Sequence, residues 1–236
     1  MISISIVSHG QFQLVKNLLD DLEKYNKDDI EILLTINIPE ELPQNFLNYH
    51  FPVKSIINSI PMGFGANHNA AFQEAQYSYF CVLNPDIRLI NNPFPALVRD
   101  LNDMRIGVVA PLMVDEKEKL QDNARKFLNF TGLFKRILSI SSYSNNSSYP
   151  DWVAGMFMLF RKEVFEEIKG FDEKYFMYCE DMDICARLRN KKYEIYYEPA
   201  VKIIHSAQRQ SHKNMRYFIW HVQSLLRFLY RYYFMY

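Results

Sequence analysis

The chain has 236 residues, 49% hydrophobic and 23% charged, a globular composition with room for one sizeable core. Its 27 basic and 27 acidic residues balance, without the basic excess of a nucleic-acid binder. The three cysteines, Cys81, Cys179 and Cys185, form no C-x-x-C pair, so a disulfide scaffold is not expected and a reducing compartment fits.

The opening "MISISIVSHG" lacks a basic n-region and reads as a buried strand over 2–7 rather than a signal peptide. Apolar recurrence at 12, 14, 15, 18, 19 and 22 predicts a helix, followed by strands at 30–37 and 53–58. "PMGFG" is a glycine-bearing turn before a helix in "ANHNAAFQEAQ", and "YSYFCVLNPDIRL" is a strand that runs into a turn at Asn84-Pro85. These strands are continuously apolar, which predicts an α/β fold with a parallel sheet covered on both faces. Such a sheet places ligands at the carboxyl ends of its strands. Here those ends are polar: Ser8 to Gly10, Asn37, Asn58, and Asn84 to Asp86.

Further on, a helix is expected near 92–103 and a strand at 106–114. Residues 115–150 read as irregular, either a mobile substrate loop or a solvated linker. "DWVAGMFMLF" predicts one strand, "RKEVFEEI" a short helix, and "YEIYYEPAVKIIH" two short strands around Pro199. No run of 18 apolar residues predicts a spanning helix. The C-terminal "NMRYFIWHVQSLLRFLYRYYFMY" reads as a helix whose polar stripe is His221, Ser224, Arg227 and Arg231. It could pack as core, pair with a second copy, or lie in a membrane interface, where Lys202, Arg209, Lys213 and Arg216 would attract anionic lipid.

Within "FDEKYFMYCEDMDICARLRNKKYEIYYEP", Glu180, Asp181 and Asp183 crowd the start of a predicted helix. At ~100° per residue, Asp181 heads the apolar stripe of Ile184, Cys185 and Leu188. Asp183 and Arg187 fall on the opposite side at i,i+4 and are expected to pair in solvent, with Glu180 beside Arg187. An inward Asp181 is either a helix N-terminal acceptor or a base above a cleft. "NPD" is either a plain turn or a turn presenting Asp86. His205, after an apolar run, is either a core histidine or a ligand. Gly63 and Gly65 around Phe64 serve either a plain turn or close backbone approach to a ligand.

The same segment resembles the "FDE.FFMY.ED.D...R" region of the family 2 inverting glycosyltransferases, in particular the rhamnosyltransferase-like branch. "NSIPMGFGANHNAAF" resembles the family's N-x-G-F-G-x-x-x-N stretch, with Asn58, Gly63, Phe64, Gly65 and Asn69 in place. "VLNPDIRL" resembles its "LNPD" motif, and "DWVAGMFMLFRKEVFEEIKGFDE", with Asp151 and Trp152, resembles its acceptor-side stretch. The resemblance covers nearly the whole chain. It implies a GT-A fold: a Rossmann-like nucleotide-binding half with a mixed, mainly parallel sheet, merged with an acceptor-binding half. One domain over 1–236 is expected, with a donor half at 1–114, an acceptor half at 115–213 and an aromatic-basic helix at 214–236.

The resemblance further implies transfer of a sugar, rhamnose in the first instance, from a dTDP- or UDP-linked donor to a glycan or lipid-linked glycan for surface polysaccharide. Asp181 would be the base, supported on the acceptor side by Glu180, Asp151 and Trp152. The donor would be bound by Ser8, Asn37, Asn58, Gly63, Phe64, Gly65, Asn69, Asn84 and Asp86. Asp86 and His205 would take Mg²⁺ or Mn²⁺. The expected location is cytoplasmic, at the inner face of the plasma membrane where lipid-linked glycans are extended. Two departures stand out. "SHG" replaces the usual residues after strand one, and the base-contacting aspartate after strand two is absent, with Asn37 a partial stand-in. A noncatalytic sugar-nucleotide-binding protein is the competing expectation. A nucleotidyltransferase is disfavoured because "SHGQFQ" is no glycine-rich triphosphate loop.

Overall fold

The computed structural model describes residues 1–26, 29–42, 48–127, 148–206 and 215–234. Ten strands and six helices are described. The strands are β1 (Ile2–Ser8), β2 (Ile30–Ile36), β3 (Val53–Ile57), β4 (Tyr79–Leu83), β5 (Ile87–Arg88), β6 (Ile106–Val114), β7 (Ala124–Arg125), β8 (Trp152–Val153), β9 (Phe157–Arg161) and β10 (Glu194–His205). The helices are α1 (Phe12–Tyr25), α2 (Phe64–Gln73), α3 (Phe94–Asp100), α4 (Lys162–Glu167), α5 (Glu180–Asn190) and α6 (Met215–Phe234).

Eight strands form one sheet in the order β3-β2-β1-β4-β9-β6-β10-β5. The β1–β2, β2–β3, β1–β4 and β6–β10 pairs are parallel. β9 is antiparallel to both its neighbours, as is β5 to β10. The result is the mixed, largely parallel sheet of a GT-A fold. β1, β2 and β4 are buried almost throughout because both faces are covered, which is why their sequences do not alternate. One face packs Leu18, Leu22, Phe94 and Leu97 of α1 and α3; the other packs Phe72, Phe165, Ile184 and Leu188 of α2, α4 and α5.

Three elements differ from expectation. "DWVAGMFMLF" breaks into β8 and β9 because the backbone at Ala154–Met156 leaves the ladder, and Gly155 turns its N–H to a side chain. "YEIYYEPAVKIIH" is one strand, β10, whose register with β6 shifts between Glu198 and Lys202. Pro199 has no N–H to give the ladder, and this irregularity accommodates it. The irregular 115–150 region contains β7, which pairs with β8; its central part, 128–147, lies outside the described residues.

α6 docks through Ser224 and Arg231 of its polar stripe, together with Phe228, while His221 and Arg227 stay exposed. Ser224 and Phe228 are buried, the Ser224 hydroxyl donates to the Met177 carbonyl at 2.8 Å, and Arg231 pairs with Asp172 and Asp183. Met215, Phe218, Ile219, Val222, Leu226 and Tyr230 face outward and are exposed. Among the described residues, no helix is long and apolar enough to cross a membrane.

Candidate active site

The strand order reverses beside β1: the chain runs outward through β2 and β3, then returns to β4 on the other side. Crevices at such points bind nucleotides in open α/β sheets. Asp86 stands at this edge, on the turn that follows β4. Arg88, two residues on, is clamped by both carboxylate oxygens of Asp21 in α1, at 2.6 and 2.8 Å. The other side of the turn is zipped to the end of β10, where His205 pairs with Ile87 and the Ser206 N–H donates to the Asp86 carbonyl at 3.0 Å. Residues 119 positions apart thereby meet, with His205 Nε2 lying 3.2 Å from Asp86 Oδ2.

The protons on this pair can be traced. Gln121 Nε2 donates to the His205 carbonyl at 2.8 Å, which turns Gln121 Oε1 toward His205 Nδ1 at 2.5 Å. Nδ1 therefore carries a hydrogen, which leaves Nε2 as the ring nitrogen able to act as a ligand, and it faces the Asp86 carboxylate. The two groups converge, and Asp86 Oδ1 is buried without a partner. Such an arrangement suits a divalent cation. No group of three or more His, Cys, Asp or Glu assembles among the described residues, so further ligands would come from the donor diphosphate and water. Asn84 is half-buried at the start of the same turn, its backbone N–H donating to Met156. Gln121 carried no signal in the sequence, because it lies in the stretch that reads as irregular.

The acidic pair lies at the start of α5. The chain enters through Tyr178 and Cys179, both left-handed with φ of 71° and 63°, a conformation that disfavours side chains. This turn is braced by buried Tyr175 and by the Ser224 bond to Met177. It presents Asp181 to Gly155, whose N–H donates to Oδ2 at 3.2 Å, while the Met182 N–H donates to Oδ1 at 2.8 Å. A side chain at position 155 would lie 3.2 Å from the Phe64 ring and 3.6 Å from Asp181 Cβ. Gly155 thus completes the site, although no expectation pointed to it.

Both carboxyls have raised proton affinity. Burial is the main cause for Asp181, opposed by the two N–H bonds and by Arg125. Glu180 is pushed well above its ordinary value by burial and then by the Asp181 charge. Its Oε2 is buried without a partner. Bonds from N–H groups favour the ionised form, and they oppose the effect of burial at Asp181. A cavity of about 380 Å³ opens over Asp181, walled by Trp152, Arg125, Tyr178, His221, Phe228 and Tyr232. α6 therefore forms one wall of the site.

Other expected residues take different places. Asp183 is fully buried rather than solvated. Its bond with Arg187, at 2.7 Å, lies under α6, where Arg231 joins it. Asp151 sits at a junction, accepting the Phe127 N–H at 2.9 Å and flanked by Lys126 and Arg189 at 3.5 and 3.3 Å. The glycines of "GFG" do allow a close approach, but to the chain itself. A side chain at position 63 would lie 2.6 Å from the Phe176 carbonyl oxygen, and one at position 65 would lie 2.6 Å from Phe171 Cβ. Phe64 packs on His68 and Phe171, and the Asn69 amide is bonded to both backbone groups of Phe171. These residues join α2 to the 171–176 loop and so fix the acidic pair relative to the strand edge. Ser8 is buried, with its hydroxyl accepting the Gln11 N–H at 3.4 Å. Asn37 and Asn58 form an amide network at the same edge, with Asn58 Nδ2 donating to Asn37 Oδ1 at 2.8 Å.

A switch-point crevice with a convergent Asp–His pair, beside a buried carboxylate open to a cavity, defines a nucleotide-sugar transferase of GT-A architecture. The profile described as "Glycosyl transferase family 2" matches residues 3–169, and one described as "N-terminal domain of galactosyltransferase" matches residues 135–215. The chain is 33% identical to the rhamnosyltransferase WbbL of Escherichia coli K12, over 98% of its own length and 93% of the relative's. It is 27% identical to the N-acetylglucosaminyl-diphospho-decaprenol L-rhamnosyltransferase of Mycobacterium tuberculosis, over 52% of this chain and 45% of that one. The chain belongs to glycosyltransferase family 2, and it is an enzyme of that class. Similar folds are GalNAc-T7 solved with UDP, GalNAc and Mn²⁺ (TM-score 0.69, 16% identity) and the mannosyltransferase PcManGT of Pyrobaculum calidifontis with GDP-Man and Mn²⁺ (0.68, 13%). They align over 89% and 98% of this chain, which spans 44% and 63% of theirs.

Proposed function

We propose that the protein transfers a sugar, rhamnose in the first instance, from a nucleoside diphosphate donor to a hydroxyl of a glycan or lipid-linked glycan, with inversion. The observation that carries this reading is Asp181: a carboxyl of raised proton affinity, fixed by two backbone N–H groups and open to a cavity. The acceptor hydroxyl enters that cavity and gives its proton to Asp181. Its oxygen bonds to the anomeric carbon as the bond to the diphosphate breaks on the opposite face, which inverts the centre. The diphosphate leaves as the nucleoside diphosphate. Trp152 and Tyr178 offer apolar faces to a sugar ring. Asp86 and His205 would hold Mg²⁺ or Mn²⁺, which neutralises charge on the leaving diphosphate. The rhamnose assignment follows the names of the two relatives.

The outward apolar face of α6 supports peripheral attachment to a bilayer at low net cost, since Arg227 is exposed on the helix and its described residues include no carboxylate. This fits a cytoplasmic enzyme working at the inner face of the membrane on a lipid-linked acceptor.

The test is a panel of purified sugar nucleotides, scored by calorimetry with and without manganese and then by turnover on a lipid-linked acceptor. dTDP-rhamnose is expected to bind in a manganese-dependent manner and to turn over. Asp181→Asn should bind donor nearly as well, while kcat falls by about 10²- to 10⁴-fold. An Asp181→Asn enzyme that turns over at the wild-type rate would remove Asp181 as the base.

A further inference from the structure

His9 follows β1, is exposed, and stands at the crevice edge. Its protonation pattern is set by its neighbour. The Met62 N–H donates to Asn37 Oδ1 at 2.8 Å, and Asn37 Nδ2 donates to the Met62 carbonyl at 3.0 Å. A backbone N–H can only donate and a carbonyl can only accept, so the Asn37 amide has one possible orientation. Oδ1 also accepts from Asn58 Nδ2, and the second Nδ2 hydrogen points to His9 Nδ1 at 3.0 Å. All four hydrogen-bonding capacities of this amide are occupied within the protein. Asn37 has none left for a ligand.

The consequence falls on His9. Its Nδ1 must accept, so the proton of the neutral ring is on Nε2, on the far side from Asn37. The strand edge therefore presents an N–H donor. The nearest carboxylate along the chain, Glu40, is turned to α1, where it accepts the Phe12 N–H at 2.9 Å, and its other oxygen is buried. With a diphosphate at Asp86 and His205, the nucleoside would extend over the ends of β1 and β2.

We propose that His9 selects the nucleobase by donating its Nε2 hydrogen to the 4-oxo oxygen of a uracil or thymine ring. Cytosine carries an amino group at that position and would set donor against donor. Asn37 has no group left to read the base N3–H. This rests on the nucleoside diphosphate reading above, and it assigns to His9 the discrimination for which Asn37 has no free group.

The experiment is calorimetric titration of the full chain with manganese and UDP, dTDP, CDP or N3-methyl-UDP. Because a polar group left facing a like group is strongly disfavoured, CDP is expected to bind about 10-fold or more weakly than UDP. N3-methyl-UDP is expected within about threefold of UDP, since the methylated atom bears no contact in this arrangement. His9→Ala should weaken UDP about 10-fold and bring UDP and CDP together, whereas His9→Gln, which keeps an N–H donor, should retain most of the preference. A thermal melt of each variant separates loss of the contact from loss of the fold. Unchanged UDP/CDP discrimination in a folded His9→Ala protein overturns the role of His9 alone, as does abolition of binding by N3-methylation. Failure of the wild-type chain to bind any of the four nucleotides overturns this inference together with the donor reading.

Discussion

Glu180 and Asp181 are adjacent in sequence, and burial raises the proton affinity of both, with the Asp181 charge adding to the shift at Glu180. The raised proton affinity of Glu180 has a definite sign in stability. The folded chain binds that proton more tightly than the unfolded chain. The resulting stabilisation is complete below the ordinary carboxylate value of 4.5 and is lost as pH rises through the folded value. Glu180→Gln, which stays neutral, should therefore melt progressively higher than wild type as pH is raised, with the gap closing in acid; melts across a pH series measure this. Gln121 acts through His205, whose ring it orients. Replacing a group that orients a metal-binding histidine typically costs about 10- to 100-fold in metal affinity. Gln121→Ala is expected to weaken Mn²⁺ binding in the presence of nucleoside diphosphate by that amount. Gln121→Glu keeps the acceptor and should recover part of it, which a purely structural defect would not.

At the scale of elements, the sheet was legible because its strands are buried on both faces and read as unbroken apolar runs. The interruptions were less so. Residues 151–160 look like one strand because nothing in an apolar run marks where the ladder stops, and Gly155 gave no hint that its N–H would turn to Asp181. Asp183 was misplaced for a related reason. A helical wheel shows which side a residue occupies but not that α6, far along the chain, covers that side. The acidic pair and Asp86 could be found from motif order, while Gln121 and His9 emerge only once strands are aligned. The joint between α2 and the 171–176 loop is the element most sensitive to a small change. A methyl at Gly63 would lie 2.6 Å from a backbone oxygen that cannot rotate away. Gly63→Ala is expected to destabilise by about 1–3 kcal/mol through overpacking, read as a lower denaturation midpoint. It should also reduce turnover more than donor affinity, since it displaces the loop that leads into Asp181.

For the molecule as a whole, α6 is the part that leaves apolar side chains outside, with Ser224, Phe228 and Arg231 inward and Phe218 and Leu226 outward. A protein carrying Phe218→Ser and Leu226→Ser keeps every docked residue of the helix. On the proposed attachment it should lose sedimentation with anionic liposomes while retaining its melting temperature and donor binding. The wild-type chain should sediment at low salt and less at high salt; liposome binding equal in both proteins would leave α6 as packing or as a contact between two copies. The same helix walls the cavity above Asp181, so the surface that would face a bilayer and the entrance used by an acceptor belong to one element. An acceptor with a lipid tail would then arrive by lateral diffusion in two dimensions. Its supply is set by its mole fraction within the bilayer, not by the volume of the suspension, and inert lipid acts on the enzyme as a diluent where buffer does not.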